Sequence, residues 1–334
     1  MPESPANARY ERRALLRAAV FDAGGHERGT AGAPAVLTEV VSGVVTGVSA
    51  DAIAVHGEAG ERAISLTSAT LTWLGARVAA SALRVGDRVV IRLRPRTAGA
   101  HAPPPSVAEH IWARIGRVTG TIVAVEGSEG RELLVDGGRL GRPAGRVVVT
   151  RASLRQIQVR FPRLVPGYLI DVIGTRQQGY LLAVARATAQ PPYRAGHPPP
   201  APPLVSRRFA APVSGTAVWH EPDGEPDGLL GLAYPALDPD TDGARGEPAQ
   251  GCVRLPYLSL GSEVRVSNEC SGRTAVLPVT SRGAIAAQFC DRCVTCGTSP
   301  KGRVADLTMA AFVRLGGNLE ENCFNATLAL TGWS

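Results

Sequence analysis

An internal repeat of Val- and Gly-rich segments constrains the fold of this chain more than any other feature. Residues 41–48 match residues 118–125 with an offset of 77, and a looser match places Gly86 opposite Gly167, 81 residues further on. The matching segments alternate apolar and polar side chains over short runs between glycine turns, which is typical of half-buried antiparallel strands. The sequence therefore predicts two tandem copies of one small β-domain.

Each copy has the size of a small closed or partly closed barrel. About five strands fit into roughly 65 residues, as in an OB-like fold. We place the first barrel at residues 36–100 and the second at residues 112–190. The Val-Gly-Asp turn at residues 85–87, before a Val-rich strand, resembles the turn of small bacterial OB-like domains.

The charge of these two barrels raises the question of a nucleic-acid partner. Residues 207–334 hold 11 of the 36 basic and 14 of the 29 acidic side chains, which leaves 25 against 15 on the rest of the chain. OB-like barrels bind single strands through a basic groove with stacked aromatic rings, but Trp73 is the only aromatic residue of the first copy. We therefore expect a spacer, a scaffold or an anchor on an anionic surface.

Proline-rich segments flank the second copy, at residues 101–105 and 191–206. Proline fixes φ and lacks an amide donor, so such runs form extended spacers rather than core. We expect the second segment to act as a linker that holds the C-terminal domain clear of the preceding barrels.

The first 35 residues are predicted to be a tail or a short amphipathic helix. Arg12 and Arg13 precede an apolar patch that Arg17 and Asp22 interrupt. A secretory signal needs about 7–15 apolar residues, so this segment is no clean signal peptide. No stretch of the sequence reaches the roughly 18 apolar residues of a membrane-spanning helix.

Four segments of the last third occur in a familiar order and spacing, at residues 214–219, 260–268, 272–283 and 305–312. Together they resemble the six-stranded double-psi β-barrel of the rare lipoprotein A, expansin and barwin group, over residues 207–334. The resemblance implies a barrel with a short helix, and a protein that acts on or binds cell-wall polysaccharide. The expected fold class is thus all-β, with two OB-like barrels followed by a double-psi barrel.

All six cysteines lie in the C-terminal domain: Cys252, Cys270, Cys290, Cys293, Cys296 and Cys323. An even number in one domain favours three local disulfides and an oxidising compartment, the extracellular space or the cell envelope. Six cysteines allow 15 pairings, and the sequence does not choose among them. The two-residue spacing from Cys290 to Cys296 also suits a zinc or iron–sulfur site, and free thiols are the third alternative.

Asp306 is the candidate catalytic residue, because residues 306–308 match an Asp-Leu-Ser-like motif of the family. Ser281 stands where the resemblance implies a second acid, and Leu255 where the lytic members carry a histidine. Glycoside hydrolysis normally uses two carboxyl groups, whereas lytic transglycosylation can use one whose pKa is raised. Alternatively, Asp306 is the N-cap of the apolar helix that follows it.

The ligand-binding candidates are Trp219, His220, Tyr257, Ser281 and Arg282. Sugar binding uses aromatic faces for stacking and polar groups for the hydroxyls. The resemblance implies an aromatic residue at Trp219 and a tyrosine at His220. Arg282 keeps the Arg-Gly pair of the family and is expected to bind either the ligand or Asp306. Each aromatic residue is equally well explained as core packing.

An acidic loop resembles the first half of a calcium site. Asp238, Asp240 and Asp242 alternate, with Gly243 in the sixth position. Ala249 occupies the twelfth position, where such a loop needs a bidentate Glu, so a solvated loop is favoured. No cofactor is expected.

Three functions follow from these patterns. The favoured one is an expansin-like protein, non-catalytic or weakly catalytic, that binds peptidoglycan or another β-linked polysaccharide. The first alternative is a peptidoglycan lytic transglycosylase with Asp306 as its acid/base. The second alternative is a structural subunit that self-assembles outside the cell.

Overall fold

The computed structural model describes residues 38–95, 106–127, 132–137, 145–159, 161–188, 194–195, 212–221, 228–238, 252–253, 255–283, 285–300 and 302–330. All of these residues belong to one compact unit. Within them, 18 strands and two α-helices form three β-structures in chain order. The expected all-β fold class is therefore confirmed.

The first structure, here called the first sheet, has seven strands in the order β3-β2-β1-β6-β7-β4-β5. Its strands are β1 Val40–Val48, β2 Ala52–Gly57, β3 Gly60–Ser65, β4 Leu71–Trp73, β5 Arg77–Val78, β6 Arg88–Leu93 and β7 Ala108–Ala113, with a 3-10 turn at Ala80–Ala82. A single parallel bridge from Ser65 to Val107 brings β3 beside β7. The sheet curves round a core of Val, Ile and Leu side chains without a continuous closing ladder. Strand β7 lies beyond the first proline-rich segment in the chain.

The second barrel is closed, in the order β10-β12-β11-β8-β9. Its elements are β8 Ile115–Glu126, β9 Glu132–Asp136, β10 Gly145–Val149, α1 Arg151–Gln158, β11 Leu169–Gln177 and β12 Tyr180–Arg186. Only β10 and β12 pair in parallel, which gives the five-stranded Greek-key arrangement of the OB-like fold. Helix α1 begins at Thr150, whose hydroxyl accepts a hydrogen bond from the Ser153 amide.

Equivalent backbone contacts occur in the two segments that the sequence predicts to be a repeat. Gly86 adopts a φ of 93° and donates its amide to the Val45 carbonyl at 2.8 Å, and Gly167, with a φ of 86°, donates to the Ile122 carbonyl at 2.8 Å. Val45 and Ile122 are 77 residues apart. A register shift directly follows each of them, in β1 and in β8. Glycine is favoured at both turns because L side chains rarely adopt such a φ.

The C-terminal barrel is closed by six strands in the order β13-β17-β14-β16-β15-β18. Its elements are β13 Val213–His220, β14 Leu232–Tyr234, β15 Glu263–Asn268, β16 Thr274–Arg282, a 3-10 turn at Ala286–Gln288, β17 Arg303–Thr308, α2 Met309–Arg314 and β18 Cys323–Leu330. Two pairs are parallel, β13 with β17 and β14 with β16, and the rest are antiparallel. This pairing is the one expected for a double-psi barrel with a short helix.

The C-terminal barrel packs directly against both preceding structures, so the expectation that a linker holds it clear is wrong. One apolar core joins Trp73, Val90 and Trp112 of the first sheet, and Ile115 and Ile173 of the second barrel, to the interior of the C-terminal barrel. The Trp112 indole also donates a hydrogen bond to Glu320 at 3.2 Å. The shared core arises because these apolar side chains point out of their own β-structure. No helix in the described part of the chain is long and apolar enough to cross a bilayer.

Candidate functional site

Asp306 lies inside strand β17, where it pairs with Val218 on one side and Ala233 on the other. Asp306 is only 7% exposed. The Nδ1 atom of His220 lies 3.3 Å from Asp306 Oδ1 and 3.1 Å from the Asp306 carbonyl oxygen. Helix α2 is instead capped by Thr308, whose hydroxyl accepts a hydrogen bond from the Ala311 amide. The N-cap alternative for Asp306 is therefore wrong.

The surroundings of Asp306 favour its charged form. Burial alone would raise the pKa of this carboxyl, but the contact with His220 and the charges of the nearby Arg117 and Arg303 hold the pKa below its ordinary value. Arg117 belongs to the second barrel, so the neighbouring domain contributes to this field. A general acid needs the opposite shift, because it must carry a proton near neutral pH.

Trp219 is fully buried and cannot present a face to a sugar, which corrects its assignment as a ligand platform. Its exposed fraction is 0%, and its indole N–H donates to the Leu319 carbonyl at 3.1 Å. The guanidinium of Arg117 lies 5.5 Å from the centre of its ring. The ring thus fills the contact between the second and the C-terminal barrels.

Four buried charged residues join these two barrels and are here called the buried ion-pair cluster: Arg117, Asp171, Asp291 and Arg303. Arg117 binds Asp171 through two hydrogen bonds, of 2.8 and 2.7 Å. Arg303 Nη2 lies 2.6 Å from Asp171 Oδ2, and Arg303 binds Asp291 twice at 3.0 Å. The Thr188 hydroxyl donates to Asp291 at 2.5 Å. Two positive and two negative groups therefore balance in a space without solvent.

Every charged side chain of the buried ion-pair cluster has an ion-pair partner and further hydrogen bonds. Burial would raise the pKa of Asp291, yet Arg303 and the Thr188 hydroxyl hold it below its ordinary value. Burial would lower the pKa of Arg303, and Asp291 and Asp171 raise it instead. The Arg303 guanidinium also stacks 4.0 Å from the centre of the Phe289 ring. A buried pair needs such additional contacts because they offset its desolvation.

The remaining ligand-binding candidates lie in different settings. His220 is 8% exposed and its ring contacts the Asp306 carboxyl, whereas Tyr257 is 51% exposed. Tyr257 is the only aromatic residue among the strongly exposed large apolar side chains of the described residues. Ser281 and Arg282 end strand β16 half-buried. No ion pair joins Arg282 to Asp306, although both side chains lie in the described part of the chain.

The structure gives little support to a calcium site at Asp238, Asp240 and Asp242. Asp240 and Asp242 lie outside the described residues, and Asp238 has an interaction partner of its own. In the segments that the structure describes, no group of three or more His, Cys, Asp or Glu side chains is placed to hold a metal ion.

The cysteines form disulfides, which confirms two of the three expected bridges. Cys252 is bonded to Cys290 and Cys270 to Cys296, with Cα–Cα distances of 5.3 and 5.1 Å. Cys290 and Cys296, the first and last cysteines of the closely spaced set, therefore belong to two different disulfides and do not bind one metal ion. Cys293 and Cys323 are present as thiols.

No protein-family model matches this chain, and no curated protein matches it significantly.

Reasoning from the sequence missed the buried ion-pair cluster, although a signal for it exists. Asp171 stands between Leu169-Ile170 and Val172-Ile173. A carboxylate in the middle of an apolar strand is buried only with a partner. The partner itself could not be identified, because Arg117 and Arg303 are 54 and 132 residues away.

Proposed function

We propose that this chain is a non-catalytic polysaccharide-binding protein of the cell envelope. The proposal rests on one observation above all: the carboxylate of Asp306 is buried and kept charged beside His220. A group held in this way is a poor proton donor for glycosidic cleavage. The resemblance of the C-terminal barrel to wall-binding barrels supplies the class of ligand.

Tyr257 is the residue that we assign to sugar contact. Its ring is half-exposed, and it lies in the segment that leads to the Gly261 turn. Exposed aromatic rings are the usual platforms for sugar rings because C–H groups pack on their faces. Leu260, three residues further along the chain, is 37% exposed. Ser281 and Arg282 remain candidates for hydroxyl contacts.

A structural role in an extracellular assembly is the second candidate function. The observation in its favour is the buried ion-pair cluster, which fixes two barrels relative to each other. A rigid connection of this kind suits a building block that transmits load, and it does not by itself require a ligand.

Co-sedimentation of the full chain with insoluble peptidoglycan and with cellulose tests the proposal. We expect the protein in the pellet and no released sugar in the supernatant. Anhydro-ended fragments that disappear in an Asp306→Asn variant would instead establish the lytic transglycosylase. Absence from both pellets, with self-association in solution, would favour the structural subunit. Binding that weakens strongly at high salt would assign part of the contact to the basic N-terminal part.

A further inference from the structure

Cys293 and Cys323 form a pair of thiols in direct contact. Their side chains share a hydrogen bond, and neither belongs to a disulfide. The Thr295 hydroxyl lies 3.0 Å from Cys293 Sγ and 3.5 Å from the Cys323 carbonyl oxygen. The Cys293 amide is held by the hydroxyls of Thr216 and Ser299, at 3.1 and 2.9 Å. The two sulfur atoms are thus fixed next to each other.

The environment of the pair suits exchange chemistry. The hydrogen bond from Cys323 and that from Thr295 lower the pKa of Cys293 to about 6, against the effect of burial. The same hydrogen bond, together with burial, raises the pKa of Cys323, so Cys323 holds the proton that the two sulfur atoms share. The thiolate is the nucleophile in disulfide exchange. Cys293 is fully buried, whereas Cys323 is partly exposed. An incoming molecule therefore reaches Cys323 first, with the Cys293 sulfur directly behind it.

The pair also lies beside the contact between the two barrels. Cys293 follows Asp291 of the buried ion-pair cluster by two residues. Cys323 follows Asn322, whose carbonyl accepts a hydrogen bond from Arg117 at 3.2 Å. A covalent bond between the two sulfur atoms would join the two segments of the C-terminal barrel that contact the second barrel.

We propose that Cys293 and Cys323 are a redox-active pair that converts between dithiol and disulfide by exchange with a small disulfide, RS–SR. The Cys323 S–H gives its proton to the Cys293 thiolate to which it is hydrogen-bonded, and the Cys323 thiolate attacks RS–SR. A mixed disulfide forms, and the released RS⁻ takes up the proton from Cys293. The Cys293 thiolate then attacks the Cys323 sulfur and releases the second RS⁻. The small disulfide RS–SR is the oxidant: its two R–S groups are reduced, and the sulfur atoms of Cys293 and Cys323 are oxidised.

The hydrogen bonds to Cys293 make this bridge the most easily reduced of the three. They stabilise the reduced pair, and a stabilised dithiol gives a more oxidising disulfide. The bond should therefore open at a lower ratio of reduced to oxidised glutathione than the two bridges already formed. The inference does not depend on polysaccharide binding.

Peptide mapping of the full chain in glutathione buffers tests this proposal. Trypsin cleaves after Arg292 and so separates Cys290 from Cys293. Samples are quenched with acid, alkylated and digested. Under oxidising conditions we expect peptide 315–334 to be linked to peptide 293–301, which also carries peptide 266–273 through Cys296. With increasing reduced glutathione, peptide 315–334 should be released first.

A threonine variant sharpens the test. Thr295→Val removes one hydrogen bond to the Cys293 sulfur, so it should shift the exchange equilibrium about tenfold towards the disulfide. Thr298→Val, in the same exposed loop, is the matched control and should leave the equilibrium unchanged. The proposal is overturned if Cys323 stays a thiol in oxidised glutathione, pairs with another cysteine, or is released no earlier than the other bridges.

Discussion

Arg303 of the C-terminal barrel contacts Asp171 of the second barrel at 2.6 Å, and neither side chain is more than 1% exposed. Asp171 also binds Arg117 of its own barrel, so one carboxylate bridges two arginines from two domains. The contact between the barrels is therefore electrostatic and specific as well as apolar. A buried charge that loses its partner destabilises a protein strongly.

Removal of the Arg303 charge should weaken the fold. Arg303→Met leaves Asp291 without its ion-pair partner in a space closed to water. We expect a loss of about 3–5 kcal/mol in the free energy of unfolding, measured in urea. Arg146→Met is the control, because Arg146 is 51% exposed beside Glu126 and should cost less than about 1 kcal/mol. Equal losses in both variants would contradict a buried role for Arg303.

Asp306→Asn should change how stability depends on pH. Because the pKa of Asp306 is lowered in the folded state, its carboxylate stabilises the fold above the unfolded pKa of about 3.9. This contribution is lost as the pH falls through the folded pKa. The variant should therefore be less stable than the parent at pH 7 and lose less stability below about pH 4. Urea unfolding across this range measures both effects.

The exposed Asp51 provides the comparison for that experiment. Asp51→Asn removes a carboxylate of the same type from the surface of the first sheet. Its urea curves should follow those of the parent at each pH. An Asp306→Asn variant as acid-sensitive as the parent would argue against a charged Asp306 in the folded protein.

Alanine substitutions should separate two glycines of strand β1. A Cβ atom on Gly43 would collide with the His56 carbonyl oxygen, whereas one on Gly47 would lie at an ordinary 3.5 Å from the Ala54 Cβ. We expect Gly43→Ala to cost about 1–3 kcal/mol in urea unfolding and Gly47→Ala to be near neutral. A similar cost for both would mean that strand flexibility, rather than close approach, decides the effect.

The repeat gives an internal check on that prediction. Gly120 corresponds to Gly43, and its Cβ would likewise collide with the carbonyl oxygen of Asp136 on the neighbouring strand. The residue that corresponds to Gly47 is Ala124. Gly120→Ala should therefore be as costly as Gly43→Ala.

Tyr257→Ala should weaken binding to peptidoglycan if Tyr257 is the sugar platform. Aromatic stacking contributes about 0.5–1.5 kcal/mol beyond area burial, so we expect a roughly threefold to tenfold increase in the apparent Kd from sedimentation. Val294→Ala removes an apolar side chain that is 71% exposed and not aromatic, and it should leave the Kd unchanged. Equal binding of parent and Tyr257→Ala would move the contact to another face.

The fold could be predicted from local patterns because glycine turns and alternating strands act at short range. Gly86 and Gly167 mark equivalent turns, and their spacing was sufficient to indicate the repeat. The contacts between the three β-structures could not be predicted in the same way. The sequence fits Trp219 equally well to a sugar platform and to core packing, and the guanidinium that lies over its ring belongs to Arg117, 102 residues earlier.

The candidate site was harder to predict than the fold for the same reason. The motif around Asp306 predicts a candidate acid, but the pKa of its carboxyl depends on His220, 86 residues away, and on a second domain. Composition alone predicts a spacer for the proline-rich segment before β13. Composition carries no information on whether the two ends of such a segment pack together.

The bridging position of Asp171 restricts how this chain can change during evolution. A substitution at Asp171 leaves Arg117 without its ion-pair partner and Arg303 with Asp291 alone, and a change at Arg303 leaves Asp291 without its ion-pair partner. Viable sequences must therefore change these positions together, as a set. The C-terminal barrel can therefore be transferred to another protein only together with matching substitutions on the barrel that it contacts.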